Sequence, residues 1–417
     1  MKRLLFILLL LAPIAGFAQD RTPSTLHIDA TRLARVDSVL ERYVRENRVA
    51  GAVGLVLRDG EVVYERAVGW ADREAKRPMT TETVFRIASQ TKAITSAALL
   101  MLVEEGRINL NEPVSRWMPT FAKTTVAVPS DTGVVMVPAR RPILVRDLLT
   151  HTAGISYGRD AALAERYLEQ GLGYGEAYGW YFAHLEEPAC ERLDRLGSLP
   201  FTAQPGERFV YGYNTDILGC IVERESGQSL DAFIAERITR PLGMRSTWFF
   251  MPPDQRSRLA AVYTPAADGT MERAPDGPLG QGDYVDGPRV SFAGGAGLLS
   301  TARDYARFLE MIRHAGTLDG VHYLAPHTVA LMTSNQVGDL HNENGLGFGL
   351  GFETTDRAGA NDFASVGSFG WSGAYGSVYE VDPHERLVLV LMIQVVPYVG
   401  SGIRESFKAA VYQSLVP

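Results

Sequence analysis

The 417-residue sequence is poor in lysine and cysteine, and it has no long apolar run after its first residues. Its eight histidines and two cysteines form neither a Cys-x-x-Cys nor a His-Glu-x-x-His pattern, so we expect no metal site and no cofactor. The formal net charge of −7 disfavours nucleic acid as a partner. With 46% hydrophobic residues, the chain can bury a substantial core, and we expect no transmembrane segment.

The first 18 residues predict a secretory signal. Lys2 and Arg3 form a basic start, residues 4–11 are apolar, and residues 16–18 read Gly-Phe-Ala before an expected cut ahead of Gln19. The apolar run is too short to cross a bilayer. We therefore expect export to the periplasm or beyond it, and one mature domain over residues 19–415.

The two cysteines, Cys190 and Cys220, leave two alternatives open. In an oxidising compartment they can form a disulfide. Cys220 also lies in an apolar helical run, where a buried free thiol is compatible with the pattern.

The succession of patterns predicts an α+β fold with strands at both ends of the chain. Helical patterns cover residues 31–49, 90–105, 302–314 and 403–415, and strand-like runs cover residues 52–57, 61–68, 369–381 and 387–395. Asp59-Gly60 predicts a hairpin turn between the first two strands. This order favours an antiparallel sheet flanked by helices, built from about residues 30–115 and 291–415. Residues 116–290 predict an α-rich inserted lobe.

A helix that begins near Gln90 is apolar on almost every side, which is typical of a buried helix. Ser89 lies where the N-cap of this helix is expected, and Lys92 lies three residues later on the same face. Gly106 ends the pattern. The spacing therefore places a serine hydroxyl beside a lysine amine at the mouth of a buried helix.

A serine beside a lysine is a candidate nucleophile with its base. A serine hydroxyl is a weak nucleophile without a neighbouring base, and an amine is a base only when it is neutral. Burial and the positive end of a helix dipole both favour a neutral amine. A single Ser-x-x-Lys pair arises by chance in many chains, but this chain uses arginine, which cannot lose its proton, for nearly every other cation. Only five residues are lysine: Lys2, Lys76, Lys92, Lys123 and Lys408.

Two further stretches contain candidate site residues. Residues 205–214 place Tyr211 in a turn before a helix, where a tyrosine beside a cation can transfer a proton. By itself, a tyrosine at such a position is more often structural. Residues 369–376 place Gly373 and Ala374 beside a strand, where small residues let a backbone N–H approach and bind an oxyanion.

Residues 154–158, Gly-Ile-Ser-Tyr-Gly, match the Gly-x-Ser-x-Gly pattern of α/β-hydrolase nucleophiles. That pattern requires a strand before it and a helix after it, whereas residues 145–150 predict a helix. Ser156 is therefore an alternative nucleophile that its context disfavours.

Together, these stretches resemble the motifs of the serine β-lactamase and penicillin-binding-protein superfamily. The matching motifs are residues 89–92 (Ser-Gln-Thr-Lys), Tyr211 after Pro-Gly-Glu, and residues 371–373 (Trp-Ser-Gly). Residues 148–154 and 294–301 are similar to supporting stretches of that superfamily. The resemblance covers about residues 30–415 and implies a β-lactamase/DD-peptidase-like fold.

The second and third motifs differ from those of the class C β-lactamases. Class C β-lactamases have Tyr-x-Asn as their second motif, whereas here Tyr213 stands at the third position and Asn214 lies one place late. Their third motif is usually Lys-Thr-Gly, whose lysine helps to bind the β-lactam carboxylate, whereas Trp371 stands here. In both respects the chain is more similar to the family VIII carboxylesterases.

The resemblance implies a role for each matching residue. The implied catalytic residues are Ser89, Lys92 and Tyr211, and the implied oxyanion hole consists of the backbone N–H groups of Ser89 and Ala374. The implied substrate-binding residues are Trp371, Ser372, Gly373, Tyr213 and Asn214. Aromatic residues between 167 and 182 are candidates for apolar pocket walls, with packing under a loop as the alternative.

We therefore predict an exported serine hydrolase that forms an acyl-serine intermediate and acts as a carboxylesterase on small or short-chain esters. Hydrolysis of β-lactams or of D-amino-acid peptides is the first alternative. A non-catalytic binding homologue is the second. The expected partner is a small-molecule ester or amide.

Overall fold

The computed structural model describes residues 26–131 and 133–417. The predicted secretory signal, residues 1–18, lies outside the described residues. Within the described ranges, no helix has both the length and the apolar character needed to cross a membrane.

An eight-stranded antiparallel sheet forms the centre of the fold. Its strands, in spatial order, are Leu346–Phe348, Glu353–Thr355, Phe369–Ser372, Val378–Asp382, Leu387–Met392, Gly51–Arg58, Glu61–Asp72 and Arg77–Pro78. Strands from the two ends of the chain meet where Val53 lies opposite Met392 and Arg58 opposite Leu387. The predicted antiparallel sheet, joined from both ends of the chain, is confirmed.

The first hairpin forms where the sequence predicts it. Asp59 and Gly60 have φ angles of +54° and +81°, which is the backbone of a two-residue hairpin turn. The strand before this turn, Gly51–Arg58, is buried along its whole length, because helices cover both faces of the sheet at this point. Such a strand needs apolar residues on both faces, and its sequence supplies them.

Helices pack against both faces of the sheet. On one face, the helix Arg35–Arg45 and the terminal helix Ile403–Tyr412 bury Leu40 and Phe407 against the strands. On the other face lies the helix Ala302–Arg313. The remaining α-helices are Ala30–Leu33, Thr91–Glu104, Val145–Leu149, Ala164–Glu169, Ala189–Asp194, Asn214–Ser226, Leu230–Ile234 and Pro326–Met332. Short 3₁₀ turns cover Ala88–Gln90, Val114–Arg116, Pro119–Lys123, Arg195–Ser198, Pro253–Arg258 and Gly338–Leu340, and a π-helical turn covers Ala235–Thr239.

The segment predicted to be α-rich also contains strands. Thr125–Ser130 pairs antiparallel with Gly133–Pro138 and parallel with Pro200–Phe201 in a three-stranded sheet. Tyr263–Pro265 pairs with Met271–Arg273. The strands Thr125–Ser130 and Gly133–Pro138 each contain a proline. Proline cannot donate a hydrogen bond to a neighbouring strand, so the sequence of this segment does not indicate strands.

The predicted strand over residues 369–381 is two strands, Phe369–Ser372 and Val378–Asp382. They are joined by a turn over residues 373–377, which we call the 373–377 turn. Gly376 has a φ of +93°, a conformation that glycine adopts without strain. Two small sheets complete the fold: Phe85–Arg86 with Leu299–Ser300, and Thr317–Leu318 with Val321–His322.

Cys190 and Cys220 form a disulfide that joins the helices Ala189–Asp194 and Asn214–Ser226. Their Cα atoms are 5.3 Å apart, within the range that a disulfide spans. Of the two alternatives for these cysteines, the structure contains the disulfide.

Replacing both cysteines by alanine is expected to lower the free energy of unfolding by about 3 kcal/mol. The reason is that the disulfide restricts the unfolded chain by joining residues 30 positions apart. Urea unfolding followed by circular dichroism, with the wild-type protein in the same non-reducing buffer as the reference, measures the change. A double variant with the wild-type urea midpoint would contradict this expectation.

Candidate active site

The helix Thr91–Glu104 carries the predicted lysine into the core. All but its last two residues are buried, as a pattern that is apolar on every side predicts. Ser89 is not the N-cap of this helix, because it lies in a separate 3₁₀ turn, Ala88–Gln90. The predicted N-cap is therefore wrong, but the structure still places Ser89 beside Lys92.

The residue before Ser89 has an unusual backbone conformation. Ala88 is fully buried and has a φ of +42°. A left-handed conformation costs an alanine about 1–2 kcal/mol, so the surrounding structure must hold it in place. One such restraint is the hydrogen bond from Ile87 N to the Leu298 carbonyl oxygen, at 3.1 Å. Strained residues of this kind concentrate at functional sites.

Ser89 Oγ and Lys92 Nζ are 3.4 Å apart. Lys92 is only 2% exposed. Its Nζ donates a hydrogen bond to the Gly295 carbonyl oxygen at 2.7 Å and lies 3.2 Å from the Tyr157 hydroxyl. Neither of these contacts was predicted, because Tyr157 and Gly295 are 65 and 203 residues away from Lys92 along the chain.

A buried carboxylate lies behind the lysine. Asp216 Oδ1 accepts a hydrogen bond from Gly295 N at 2.8 Å and so holds the Gly295 backbone beside Lys92. Burial raises the pKa of Asp216 to about 6, and the positive charge of Lys92 opposes part of this rise. An aspartate inside an otherwise apolar helical run was the sequence signal that could have identified Asp216.

Two tyrosines flank Lys92. Burial raises the pKa of Tyr157 well above its ordinary value, so this hydroxyl keeps its proton at pH 7. The centre of the Tyr211 ring lies 4.7 Å from Lys92 Nζ, and the Tyr211 hydroxyl accepts a hydrogen bond from Trp371 Nε1 at 3.2 Å. The three motifs that contain Ser89, Tyr211 and Trp371 thus converge around one lysine.

Two predicted substrate-binding residues, Tyr213 and Asn214, are completely buried and do not line the cleft. The Tyr213 hydroxyl accepts a hydrogen bond from Gly173 N at 2.8 Å. Asn214 Nδ2 contacts His151 Nδ1 at 2.9 Å and two backbone carbonyl oxygens. Burial and the charge of Lys92 lower the pKa of His151, so its neutral ring accepts the hydrogen bond from Asn214. The structure therefore places both side chains behind the cleft, where they hold loops, and does not bring them to the cavity wall that contains Trp371.

The Tyr213→Phe variant is expected to lose about 1–2 kcal/mol of stability, because the buried N–H of Gly173 then has no acceptor. Its KM for an ester substrate should stay within about twofold of the wild type, since Tyr213 does not reach the cleft. Thermal unfolding and steady-state kinetics measure the two effects. A large rise in KM at unchanged stability would restore the substrate-binding role.

A cavity of about 470 Å³ opens above Ser89. Trp371, Ser372, Gly373 and Ala374 form one wall of this cavity, as the resemblance implies. Within the chain that the structure describes, no group of three His, Cys, Asp or Glu side chains is arranged to hold a metal ion.

The backbone N–H groups of Ser89 and Ala374 are available in this cleft. Among residues 26–131 and 133–417, neither N–H donates to a backbone acceptor. Gly373 lets the 373–377 turn approach the segment before Ser89, because a β-carbon on Gly373 would lie 2.5 Å from the Ile87 carbonyl oxygen. This close approach explains why the motif ends in glycine.

The aromatic stretch between residues 167 and 182 divides between the cleft and the core. Tyr174 and Trp180 line the cavity, whereas Tyr167 is fully buried. Ser156 also lines the cavity, but its Oγ donates to Asp160 Oδ2 at 3.0 Å and accepts from Gly158 N at 3.1 Å. The segment before it is the helix Val145–Leu149, so Ser156 lacks the strand that a nucleophile elbow requires.

Comparison with known proteins identifies the family. The family model described as Beta-lactamase matches residues 36–412, which is most of the chain. The chain belongs to the Beta-lactamase family. This result confirms the resemblance that the motifs of Ser89, Tyr211 and Trp371 predict, and with it the β-lactamase/penicillin-binding-protein fold.

Several relatives of this Beta-lactamase-family chain are esterases. Esterase EstB of Burkholderia gladioli is 35% identical over 399 residues, which cover 90% of this chain and 94% of EstB. Protein Rv1367c of Mycobacterium tuberculosis is 36% identical over 365 residues, which cover 84% of this chain and 86% of that protein. The structure of EstCE1, a hydrolase with promiscuous acyltransferase activity, matches with a TM-score of 0.79 at 29% identity and covers 92% of this chain and 99% of its own. This member of the Beta-lactamase family is therefore a serine hydrolase of the carboxylesterase type.

Proposed function

We propose that this protein hydrolyses small or short-chain carboxylic esters through an acyl intermediate on Ser89. The observation that carries the proposal is the 3.4 Å distance between Ser89 Oγ and the buried Nζ of Lys92, in a cleft lined by Ala374. A serine hydroxyl within reach of a buried amine has the base that nucleophilic attack requires.

In the first half of the reaction, Ser89 Oγ attacks the ester carbonyl carbon while the Lys92 amine acts as the base that removes the hydroxyl proton. The carbonyl oxygen becomes an oxyanion, which accepts hydrogen bonds from the N–H groups of Ser89 and Ala374. The Tyr157 hydroxyl keeps its proton and steadies the Lys92 amine by a hydrogen bond. Protonated Lys92, assisted by Tyr211, then returns the proton to the leaving alcohol.

In the second half, a water molecule attacks the acyl-Ser89 carbonyl in the same oxyanion hole. Lys92 again removes a proton, this time from the water, and returns it to Ser89 Oγ as the acid leaves. The Gly295 carbonyl oxygen holds the amine in position through both halves, and Asp216 holds the Gly295 backbone.

The cavity supports a preference for small neutral esters. Its volume of about 470 Å³ suits a short chain. Tyr174, Trp180 and Trp371 contribute aromatic surface, which favours apolar acyl or alcohol groups. Trp371 stands where β-lactamases usually have the lysine that binds a carboxylate, so the side chain at this position offers no charge to a substrate.

Hydrolysis of p-nitrophenyl butyrate together with active-site labelling tests the proposal. We expect the ester to be turned over and a fluorophosphonate probe to attach to the peptide that contains Ser89. If the label maps to Ser156, which lines the same cleft, then Ser156 is the nucleophile and Ser89 is not. No turnover and no labelling would leave the non-catalytic binding homologue as the better description.

A second candidate function is hydrolysis of amides that carry a carboxylate, such as β-lactams or D-amino-acid peptides. Arg159 and Arg404 both line the cleft, and within the described ranges neither forms an ion pair with a carboxylate. Arg159 stacks on the Tyr174 ring at 3.9 Å and is exposed, so it can receive an anionic group.

We expect a chromogenic cephalosporin to be hydrolysed with kcat/KM at least about 10²-fold lower than that for p-nitrophenyl butyrate. The physical reason is that Trp371 removes the carboxylate-binding cation of the third motif. Both substrates are assayed with one enzyme stock, and Arg159→Gln serves as the companion variant. Faster cephalosporin turnover that Arg159→Gln abolishes would make the second candidate the principal function.

We also propose that the protein is exported. The basic start and short apolar run of residues 1–18 support this, and so does the Cys190–Cys220 disulfide, because disulfides persist in oxidising compartments. N-terminal sequencing of protein from the periplasm or medium should begin at Gln19. Recovery of the whole chain from the cytoplasm, with Met1 retained, would contradict export.

A further inference from the structure

We propose that Arg404 is a positioning residue that orients and polarises the Ala374 N–H of the oxyanion hole. Its guanidinium donates to carbonyl oxygens of the 373–377 turn, and its side chain also lines the cleft. The inference rests on the proposed function, which assigns the oxyanion to the Ala374 N–H.

Arg404 binds the carbonyl oxygens of the 373–377 turn as a group. Its Nε donates to the Gly376 oxygen at 2.8 Å, and its Nη2 donates to the Gly373 oxygen at 3.2 Å and the Ser377 oxygen at 3.4 Å. A guanidinium suits this arrangement because its donors diverge in one rigid plane. A single side chain thus binds three carbonyl groups of the turn, and two of them, those of Gly373 and Ser377, also accept a backbone N–H within the turn.

The contact with Gly373 has a direct consequence for the oxyanion hole. The Gly373 carbonyl and the Ala374 N–H belong to the same peptide group, which is planar and trans. Their C=O and N–H bonds therefore point in opposite directions. When Arg404 binds the Gly373 oxygen, it holds the Ala374 N–H pointing away from the guanidinium, which leaves this N–H for an oxyanion. A cation on the carbonyl also polarises the peptide and makes its N–H a stronger donor.

The terminal helix delivers Arg404 to this position. Gly402, with a φ of +81°, precedes the helix, and Ile403 and Phe407 anchor its first turns in the core. Tyr398 lies against the guanidinium, 3.9 Å from ring centre to Cζ. The side chain is therefore clamped between an aromatic ring and the turn.

The Arg404 side chain is partly buried. Among residues 26–131 and 133–417, no carboxylate forms an ion pair with it. Its burial lowers the pKa of the guanidinium. Backbone carbonyls are the compensating partners, and the unneutralised charge remains close to the site where negative charge develops. A carboxylate paired with Arg404 would neutralise this charge, which otherwise favours the oxyanion.

The Arg404→Met variant tests the inference. We expect kcat for p-nitrophenyl butyrate to fall about 10–100-fold, less than the loss of a whole oxyanion donor, while KM changes by less than about threefold. The inhibition constant of butylboronic acid, whose serine adduct places an oxygen in the oxyanion hole, should rise by a similar factor. Arg404→Lys, which keeps a charge but not the fork, should lie between Arg404→Met and the wild type. It also serves as the test variant if Arg404→Met does not fold.

Arg73 provides a matched control. Its guanidinium also donates to two backbone carbonyl oxygens, those of Met271 and Val49, and contacts the Tyr263 ring at 5.1 Å, but it does not line the cleft. Arg73→Met removes comparable structural contacts and should leave kcat unchanged. If both variants lose activity in proportion to lost stability, Arg404 has a structural role only and the inference is wrong.

A double-mutant cycle separates this inference from the proposed function. Ala374→Pro removes the N–H itself and should lower kcat about 10²–10³-fold. Because Arg404 acts through that N–H, adding Arg404→Met to Ala374→Pro should cost little further activity. Full activity in Ala374→Pro would overturn the proposed oxyanion hole. An inactive Ala374→Pro with a fully active Arg404→Met, or strictly multiplicative losses in the double variant, would overturn only the role of Arg404.

Discussion

The Ser89→Ala variant is expected to hydrolyse p-nitrophenyl butyrate at least about 10⁴-fold more slowly than the wild type. Ser89 is half-exposed at the floor of the cleft, so alanine fits without displacing neighbours. Removal of Oγ leaves the amine of Lys92 and the oxyanion hole intact, and the remaining activity is that of water attacking a bound ester. The loss should lie in kcat, while the affinity for the ester is retained.

Ser156→Ala is the matched control for Ser89→Ala. Both serines line the same cavity, but Ser156 is bonded to Asp160 and is not in contact with Lys92. Ser156→Ala should therefore hydrolyse the ester at close to the wild-type rate and still react with the fluorophosphonate. The reverse pattern, with Ser89→Ala active and Ser156→Ala inactive, would overturn the assignment of the nucleophile.

Lys92→Met is expected to lower kcat by about 10³-fold, within the range that a general base contributes. Methionine has a similar length and tolerates burial, but it cannot accept a proton. The substitution also removes the charge that restrains the pKa of Asp216, so this buried carboxyl should become easier to protonate. We expect the activity of Lys92→Met to be low at every pH, because no other group replaces the amine.

The Lys92→Arg variant tests whether Lys92 acts as a base or only supplies a positive charge. Arginine keeps the positive charge but cannot lose its proton, so Lys92→Arg should be about as inactive as Lys92→Met. Lys123→Met, at an exposed lysine, is the control and should behave as the wild type. Substantial activity in Lys92→Arg would mean that the charge at this position is sufficient and that another group removes the serine proton.

The parts of the fold that depend on local pattern could be predicted from the sequence. The Asp59-Gly60 turn requires left-handed backbone at both positions, and few residues other than these supply it. The helix Thr91–Glu104 is apolar on almost every side, and this pattern predicts a buried helix. The spacing of Ser89 and Lys92 is likewise local, so their adjacency followed from it even though the N-cap did not.

The contacts around Lys92 could not be predicted, because they come from distant segments. Tyr157 and Gly295 contact the amine, and Asp216 binds the Gly295 N–H; these residues come from three separate parts of the chain. Nothing in their own neighbourhoods indicates that they meet. The packing of the helix Asn214–Ser226 against Thr91–Glu104 brings Asp216 close to Lys92.

Tyr213 and Asn214 illustrate how a motif misleads when it is displaced by one position. A shift of one residue at the start of a helix rotates a side chain by about 100°. At Asn214, the first residue of its helix, this rotation directs the amide toward His151 and away from the cleft. The chain therefore keeps the tyrosine of the family motif, while its asparagine lies one position later and has a different structural role.

The pairing of Gly51–Arg58 with Leu387–Met392 also determines when activity arises during biosynthesis. The ribosome delivers Ser89 long before Ala374 and Arg404. Until the last strands and the terminal helix emerge, the first hairpin has an unpaired edge and the nucleophile has no peptide N–H opposite it. A nascent or truncated chain thus contains the serine and its lysine without the means to stabilise a transition state. The proposed mechanism therefore requires the last strands and the terminal helix as well as Ser89 and Lys92.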